Sequence, residues 1–364
     1  MSITEQILQN KNFTKENIIS LLQLGKTEAK LLFAESLKTK RESIGLDVHL
    51  RGLIEYSNIC EKNCLYCGLR KSNEKKNTYT LSDNQIDFCI QEAIRLQYGS
   101  VALQCGEQSG KEFTEKITQI IKKIKQVSEN KIGITLSCGE QSKETYREWF
   151  NAGAHRYLLR IETSNEDLYY KIHPKNSTHS FYNRVKCLED LKDLGYQVGT
   201  GVMVGLPFQS TEDLADDILF FKQKDVAMIG LGPFIPHQDT PLWQFRENIP
   251  DKQERMFLTL KMIAILRLVM PEINMVSATA NQTLDPLGRE KAIVAGANII
   301  MPNLTPTSKR EDYAIYPDKA CVKDSPDDCA NCLEIRMRGI EHNIVYNEWG
   351  DSLAFIKKHT AFKS

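Results

Sequence analysis

The chain has no excess of either charge: 47 Lys+Arg stand against 47 Asp+Glu in 364 residues. Nothing in that balance points to a nucleic-acid or membrane-surface partner. No apolar run approaches the ~18 residues that a membrane-spanning helix needs. The first residues, Met1-Ser-Ile-Thr-Glu-Gln6, lack the basic stretch and following apolar run of an export leader. Heptad runs and an exposed apolar stripe are also missing, so nothing in the sequence points to a coiled-coil assembly. These absences describe a cytoplasmic chain whose 41% hydrophobic content can bury one large core or two smaller ones. In that compartment ten cysteines serve as metal ligands or buried thiols rather than disulfides.

What is present is concentrated in Cys60-Glu-Lys-Asn-Cys64-Leu-Tyr-Cys67. Three thiolates are one short of saturating a 4Fe-4S cluster, in which each iron takes an outside ligand. In C-x3-C-x2-C proteins the open iron is met by the amino and carboxylate groups of S-adenosylmethionine (SAM). The spacing therefore reads as reductive cleavage of SAM to a 5′-deoxyadenosyl radical in a low-oxygen cell. A zinc knuckle is the competing reading. It would need a second Cys/His pair about 12 to 20 residues on, and residues 68–88 hold neither residue type.

Residues 1–45 read as a helical extension, through Ile18-Ile-Ser-Leu-Leu22 and Glu28-Ala-Lys-Leu-Leu-Phe-Ala-Glu35. From residue 46 to about 305, short β-rich runs alternate with amphipathic helices. The strand candidates are 52–57, 100–104, 132–136, 156–161, 197–204, 228–234, 275–279 and 299–303. Between them Phe113, Ile117, Ile120, Ile121, Ile124 and Val127 share one helical face. Capping patterns at Ser210–Asp213 and Asp251–Glu254 open two further helices, and Pro271 closes the second. Eight strands so separated predict an α/β fold, a parallel (β/α)8 TIM-type barrel; a six-stranded partial barrel is the alternative. Residues 306–364 form a C-terminal segment expected to pack on it.

Chemistry in such barrels sits at the C-terminal strand ends, where the cysteine loop follows the first strand. The second strand ends at Gln104-Cys105-Gly106-Glu107. On the fourth, Arg160 and Glu162 share one face because side chains alternate, and two charges inside a barrel must be paired or bound to ligand. The fifth, Gly199-Thr-Gly201-Val-Met203-Val204-Gly205, has glycines that admit a close-lying ring or tight packing. His237, in a Pro/Gly-rich loop, reads equally as a loop hydrogen-bonder or a catalytic group. Cys321, Cys329 and Cys332 form a second set suited to an auxiliary Fe-S cluster or to zinc. Cys89 and Cys187 fall on apolar helix faces as core residues, while Cys105 and Cys138 stand at strand ends.

The stretch Arg51-Gly-Leu-Ile-Glu-Tyr-Ser-Asn-Ile-Cys60 through Cys67-Gly-Leu-Arg70 resembles the cluster loop of the HydE family. That family comprises radical SAM maturation proteins of FeFe-hydrogenase, in the group of biotin synthase and methylornithine synthase. Arg156–Thr163, Met203–Pro207, Gly232–His237, Ala297–Asn303 and the Cys321-x7-Cys329-x2-Cys332 spacing are also similar. The resemblance spans residues 45–345. It implies that Cys60, Cys64 and Cys67 ligate the SAM-cleaving cluster, with Tyr66 beside them, and that Gly106 and Glu107 hold the SAM amino group. Glu162 would bind the ribose, Arg160 and Arg184 would neutralise the carboxylate, and the backbone at Met203 and Val204 would meet adenine. Tyr313 and Tyr316 would lie near the SAM end of the cavity. Gln104, Thr135 and Thr279 would lie deeper, where an anionic substrate sits. Ile161 and Ala278 depart from the family's His and Thr in that lower pocket.

The function so implied is assembly of the hydrogenase 2Fe subcluster, on an organometallic precursor carrying CO, cyanide and cysteine. Its partners would be a tyrosine-cleaving maturase, a GTPase scaffold maturase, and ferredoxin or flavodoxin as electron donor. Two other readings stay open. One is a methylornithine-type rearrangement of an amino acid. The other is a non-enzymatic Fe-S carrier, which would need neither the Arg160/Glu162 pair nor the glycine-rich strand.

Overall fold

Short aliphatic and β-branched runs form strands where flanking helices can cover both faces of a sheet, and such strands are apolar almost throughout. The computed structural model describes residues 2–361; residue 1 and residues 362–364, the outer ends of the two terminal segments, lie outside the described residues. Its strands are β1 (Asp47–Leu50), β2 (Gly52–Ser57), β3 (Ser100–Cys105), β4 (Gly133–Ser137), β5 (Arg156–Leu158) and β6 (Gln197–Thr200). They continue with β7 (Met203–Val204), β8 (Met228–Pro233), β9 (Asn274–Ser277), β10 (Ile299–Ile300) and β11 (Asn343–Val345). All named ladders are parallel, in the order β2-β3-β4-β5-β6-β8-β9-β10-β1. β1 and β2 are halves of one strand, as are β6 and β7. The ring closes where Leu53 N donates to Pro302 O (2.7 Å) and Leu304 N to Leu53 O (2.8 Å), giving the expected eight-strand barrel.

The strand limits differ from the expected ones for physical reasons. The run 156–161 leaves the ladder after Leu158, because Ile161 N turns to Thr200 Oγ1 (3.1 Å) and Glu162 takes φ +66°. The run 197–204 breaks because the carbonyls of Gly201 and Val202 accept from Glu162 N and Arg160 instead. The last expected strand pairs only at Ile299–Ile300 and again at Asn303, since Pro302 has no N–H for a ladder. The strand expected at 275–279 stops at Ser277, because Thr279 starts a helix.

The helices carry the expected caps. Ser210/Asp213 and Asp251/Glu254 form capping boxes for helices Thr211–Lys224 and Lys252–Val269. Helices Ile3–Asn10, Lys15–Leu22 and Ala29–Ser43 occupy the N-terminal stretch, and the latter two pack on Lys252–Val269. The buried Lys40 ammonium is satisfied by the carbonyls of Ile293 (2.9 Å) and Ala297 (2.7 Å). Among the described residues no helix is long and apolar enough to cross a membrane.

The barrel floor is closed by a strap from the C-terminal segment, whose added strand and place beneath the barrel the sequence does not predict. β11 joins the lower edge of β1, and residues 349–352 then run beneath the strands. Arg156 Nη1 donates to Trp349 O (2.9 Å), Asn274 Nδ2 to Gly350 O (2.9 Å) and Ser352 N to Gln197 Oε1 (3.0 Å). Asp351 pairs with Arg156 and His155. With the floor sealed, access to the interior is from the strand C-termini.

Candidate active site

At that upper end lies a cavity of about 360 Å³. Its walls come from most of the barrel strands, from the loop after β2 and from residues 313–319. Cys60, Cys64 and Cys67 all line it, and none is in a disulfide. Their loop is pinned on three sides: Glu61 N donates to Glu107 O (2.7 Å), Leu65 N to Ile172 O (3.0 Å) and Gly68 N to Ile315 O (2.9 Å). Burial pushes the Cys64 thiol up to about 12, so metal must displace its proton. Among the described residues no three Cys, His, Asp or Glu side chains converge on one point, as a single metal ion would require. Three free thiols around one cavity mouth fit the three cysteine ligands of a 4Fe-4S cluster.

Next to the loop is a neutral charge quartet. Lys62, between the first two cysteines, pairs with Glu107 (2.9 Å) and Glu140 (3.2 Å). Arg184, on helix Phe181–Asp193, lies 2.8 Å from Glu140 and 3.7 Å from Glu107. The 2.8 Å Arg184–Glu140 approach is a charge contact rather than an aligned hydrogen bond, since both atoms lack a hydrogen-bond partner. Burial raises the Glu107 carboxyl, opposed by Arg184 and Lys62. At Glu140 burial acts the same way, but Arg184 and Lys62 outweigh it and hold the carboxyl below its usual value. Gly106 stands where a side chain would strike the Ile59 carbonyl, so this turn meets the cysteine loop in direct contact.

Across the cavity Arg160 and Glu162 do share a face, and they bind each other. Arg160 Nε and Nη2 reach the two Glu162 oxygens at 2.9 Å each, and Nη2 also donates to Val202 O (2.9 Å). Arg160, expected to neutralise a carboxylate, thus has its fork committed to holding Glu162. Tyr66 sets its hydroxyl 3.2 Å from His173 Nε2, and His173 Nδ1 meets Tyr169 O (3.0 Å). Gln104 Nε2 donates to Tyr313 Oη (3.2 Å), and Thr279 Oγ1 accepts from Arg289 Nη2 (3.2 Å). Gln104, Glu162, Met203, Thr279, Ala278, Tyr313 and Tyr316 all line the cavity, as does Cys105.

Three expected positions do not. Thr135 accepts from Arg156 Nε (2.9 Å) in the floor network. Val204 is fully buried behind the wall and its carbonyl accepts from Phe234 N (2.8 Å). Cys138 is buried outside the cavity. His237 is a loop residue, its Nδ1 accepting from Asp239 N (3.1 Å). Residues missed from sequence include Lys62 and Glu140 of the quartet, and Glu55, whose buried carboxylate pairs with Lys319 and accepts from Asn303 Nδ2 (2.9 Å). Of the second cysteine set, Cys329 is buried, Cys321 half-buried and Cys332 exposed, all as free thiols.

A parallel barrel with a C-x3-C-x2-C loop over its mouth defines a radical SAM enzyme, and residues 54–221 match the family model of the Radical SAM superfamily. That superfamily implies a 4Fe-4S cluster and SAM as cofactors. Within it the chain belongs to the HydE family, being 42% identical over 329 residues to the [FeFe] hydrogenase maturase subunit HydE of Thermotoga maritima, across 90% of each chain. The 3-methylornithine synthase of Methanosarcina acetivorans is 27% identical over 316 residues, 86% of this chain and 85% of that one. The crystal structure of methylornithine synthase (PylB) shares the fold, with a TM-score of 0.80 at 24% identity over 95% of this chain and 98% of that one.

Proposed function

We propose that the chain matures FeFe-hydrogenase by SAM-dependent radical chemistry on a low-valent iron complex bearing CO, cyanide and cysteine. The reading is carried by the 42% identity to a HydE maturase over 90% of both chains, against 27% to a methylornithine synthase. Its setting would be the cytoplasm, downstream of a tyrosine-cleaving maturase and upstream of a GTPase scaffold, with ferredoxin or flavodoxin as donor.

Cys60, Cys64 and Cys67 would hold a 4Fe-4S cluster, which when bound would supply the electron for reductive cleavage of SAM. The surrounding residues bind and orient. A quartet of two cations and two carboxylates takes a zwitterion without stranding net charge, which costs several kcal/mol when buried. Glu107 would take the SAM ammonium and Arg184 its carboxylate. Glu162, fixed by the Arg160 fork, would accept from the ribose hydroxyls, with Tyr66 and Met203 alongside. Gln104, Tyr313, Tyr316 and Thr279 line the remaining cavity, whose walls would limit the access of water to a reactive carbon radical. Cys321, Cys329 and Cys332 would hold an auxiliary Fe-S cluster. Free thiols gathered beside Arg289 support that assignment; burial raises the Cys321 and Cys329 thiols, and the Arg289 charge opposes it.

The test is activation of apo-hydrogenase in vitro, with the partner maturases present and this chain added or withheld. Hydrogenase activity that depends on the chain is expected. Chain-independent activation, with lysine converted to a methylornithine isomer instead, would overturn the reading.

A further inference from the structure

Two buried histidines, His173 and His179, pack against the cysteine loop, and neither lines the cavity. They belong to one short segment. Helix Glu166–Ile172 stops at His173, whose extended backbone (φ −131°, ψ 151°) is what a following Pro174 favours. The chain then turns through Ser177–His179. Four contacts join this segment to the loop. The Lys62 ammonium reaches Thr178 O, Asn63 N donates to His179 Nε2 (2.8 Å), Leu65 N donates to Ile172 O (3.0 Å), and the Tyr66 hydroxyl lies 3.2 Å from His173 Nε2. The direction of both histidine bonds follows from their other nitrogens. His173 Nδ1 is 3.0 Å from the Tyr169 carbonyl, which only accepts, so Nδ1 carries the proton and Nε2 accepts from Tyr66. His179 Nε2 faces a backbone amide, which only donates, so its proton sits on Nδ1, 2.8 Å from Asn176 Oδ1. Burial, aided by the nearby Arg184 and Lys62 cations, holds His173 well below its ordinary value and His179 down to about 4. Both rings are therefore neutral acceptors at neutral pH.

We propose that both histidines are positioning residues, His179 fixing the loop backbone beside Cys64 for the cluster and His173 setting Tyr66 against bound SAM. Asn63 immediately precedes Cys64, and Tyr66 immediately precedes Cys67. Each acceptor thus acts one residue from a ligating thiol. Residues 60–67 lie outside every helix and strand, so no ladder holds them, whereas ligands must be placed to within about 0.5 Å. An Asn63 N–H left without its acceptor would be a buried orphan, and the loop would have to shift to satisfy it. Tyr66 lines the cavity, and its hydroxyl fixes the ring only while His173 accepts from it. Packing alone would be indifferent to which side-chain atom faces the loop, and this separates the two roles. The assignment rests on the radical SAM reading, which fails or stands by a different measurement.

The full chain, reconstituted anaerobically with iron and sulfide, would be compared with His179→Leu, His179→Gln, His173→Leu and His173→Gln. Gln places an acceptor oxygen near the Nε2 position, whereas Leu fills the space without one. Release of cluster iron to a ferrous chelator is followed by absorbance, and SAM binding by equilibrium dialysis. His179→Leu is expected to release iron about tenfold faster than wild type, the cost of one orphaned buried donor, and His179→Gln to restore most of the difference. His173→Leu is expected to keep its iron and bind SAM several-fold more weakly, with His173→Gln closer to wild type. Because His173 acts through the Tyr66 hydroxyl, His173→Leu should cost nothing further in a Tyr66→Phe background. Wild-type iron release in His179→Leu, or release from His179→Gln as fast as from the Leu variant, would overturn the role of His179. Undiminished SAM affinity in His173→Leu, or an equal further loss in the Tyr66→Phe background, would overturn that of His173. If His179→Leu does not fold, His179→Gln decides alone, slow release supporting the assignment and fast release overturning it. A wild type that loads iron but neither binds nor cleaves SAM would instead count against the radical SAM reading, with iron release still deciding His179.

Discussion

Glu107 packs so closely on Gly139 that a Cβ there would lie 2.1 Å from Glu107 Cγ, and the Gly139 φ of +75° already disfavours a side chain. Gly139→Ala is therefore expected to push Glu107 off Lys62 and Arg184 and to weaken SAM binding about tenfold, the usual cost of a lost charge-assisted contact. Glu162→Ala should do the same from the ribose side, and both variants should keep full cluster iron. Equilibrium binding of SAM beside an iron assay checks this; wild-type affinity in either would remove that carboxylate from the SAM site. Some of these residues were legible in the sequence. The cysteines announced themselves by spacing, and Arg160 and Glu162 by alternation on a strand. Lys62, Glu140 and Lys319 were not, because a charged residue in a polar loop has no periodicity to betray its burial; nor was Glu55, which lies on β2 but whose partner is far along the chain. The Glu55–Lys319 pair joins positions 264 apart in the chain, a separation that no local pattern reports.

Among the elements, the central strands and capped helices followed from apolar runs and capping boxes, while the strand breaks and the floor strap did not. A three-residue β11 is too short to alternate, and the strap is recruited by what the barrel leaves unpaired, above all the fully buried Arg156. The strap should be acid-sensitive. Burial pushes His155 down to about 4, opposed by its hydrogen bond to Asp351. Burial also opposes ionisation of Asp351, but His155 and Arg156 outweigh it and hold that carboxyl well below the usual range, so Asp351 stays ionised at pH 5. A histidine with a folded pKa below its unfolded value of about 6.5 binds protons more readily when unfolded. Its stabilisation is complete above that value and is lost as pH falls toward 4. Protection factors of the amides at residues 346–352, taken relative to the intrinsic exchange rate at each pH, should therefore be lower at pH 5 than at pH 7, and His155→Asn should lessen the difference. Equal protection at both pH values would show that His155 does not secure the strap.

At the scale of the whole molecule, a barrel sealed below by its C-terminal strap leaves one chemical end, over which the cysteine loop is held by three separate segments. Residues 313–319 extend that hold: Gly68 bonds Ile315, Lys319 reaches Glu55 inside the barrel, and the chain then continues to Cys321. The second cysteine set is thus connected to the cavity wall through a short segment that also lines the cavity. A deep cavity beneath the loop suits a radical reaction that must limit water, and it makes SAM cleavage the claim on which the other readings depend. The most direct test is anaerobic reconstitution with iron and sulfide, then dithionite and SAM, assayed for 5′-deoxyadenosine and methionine beside a Cys64→Ala variant. The wild type is expected to form both products in equal amounts and the variant neither. A fully iron-loaded wild type that binds no SAM, or a Cys64→Ala chain that cleaves it equally well, would contradict the account.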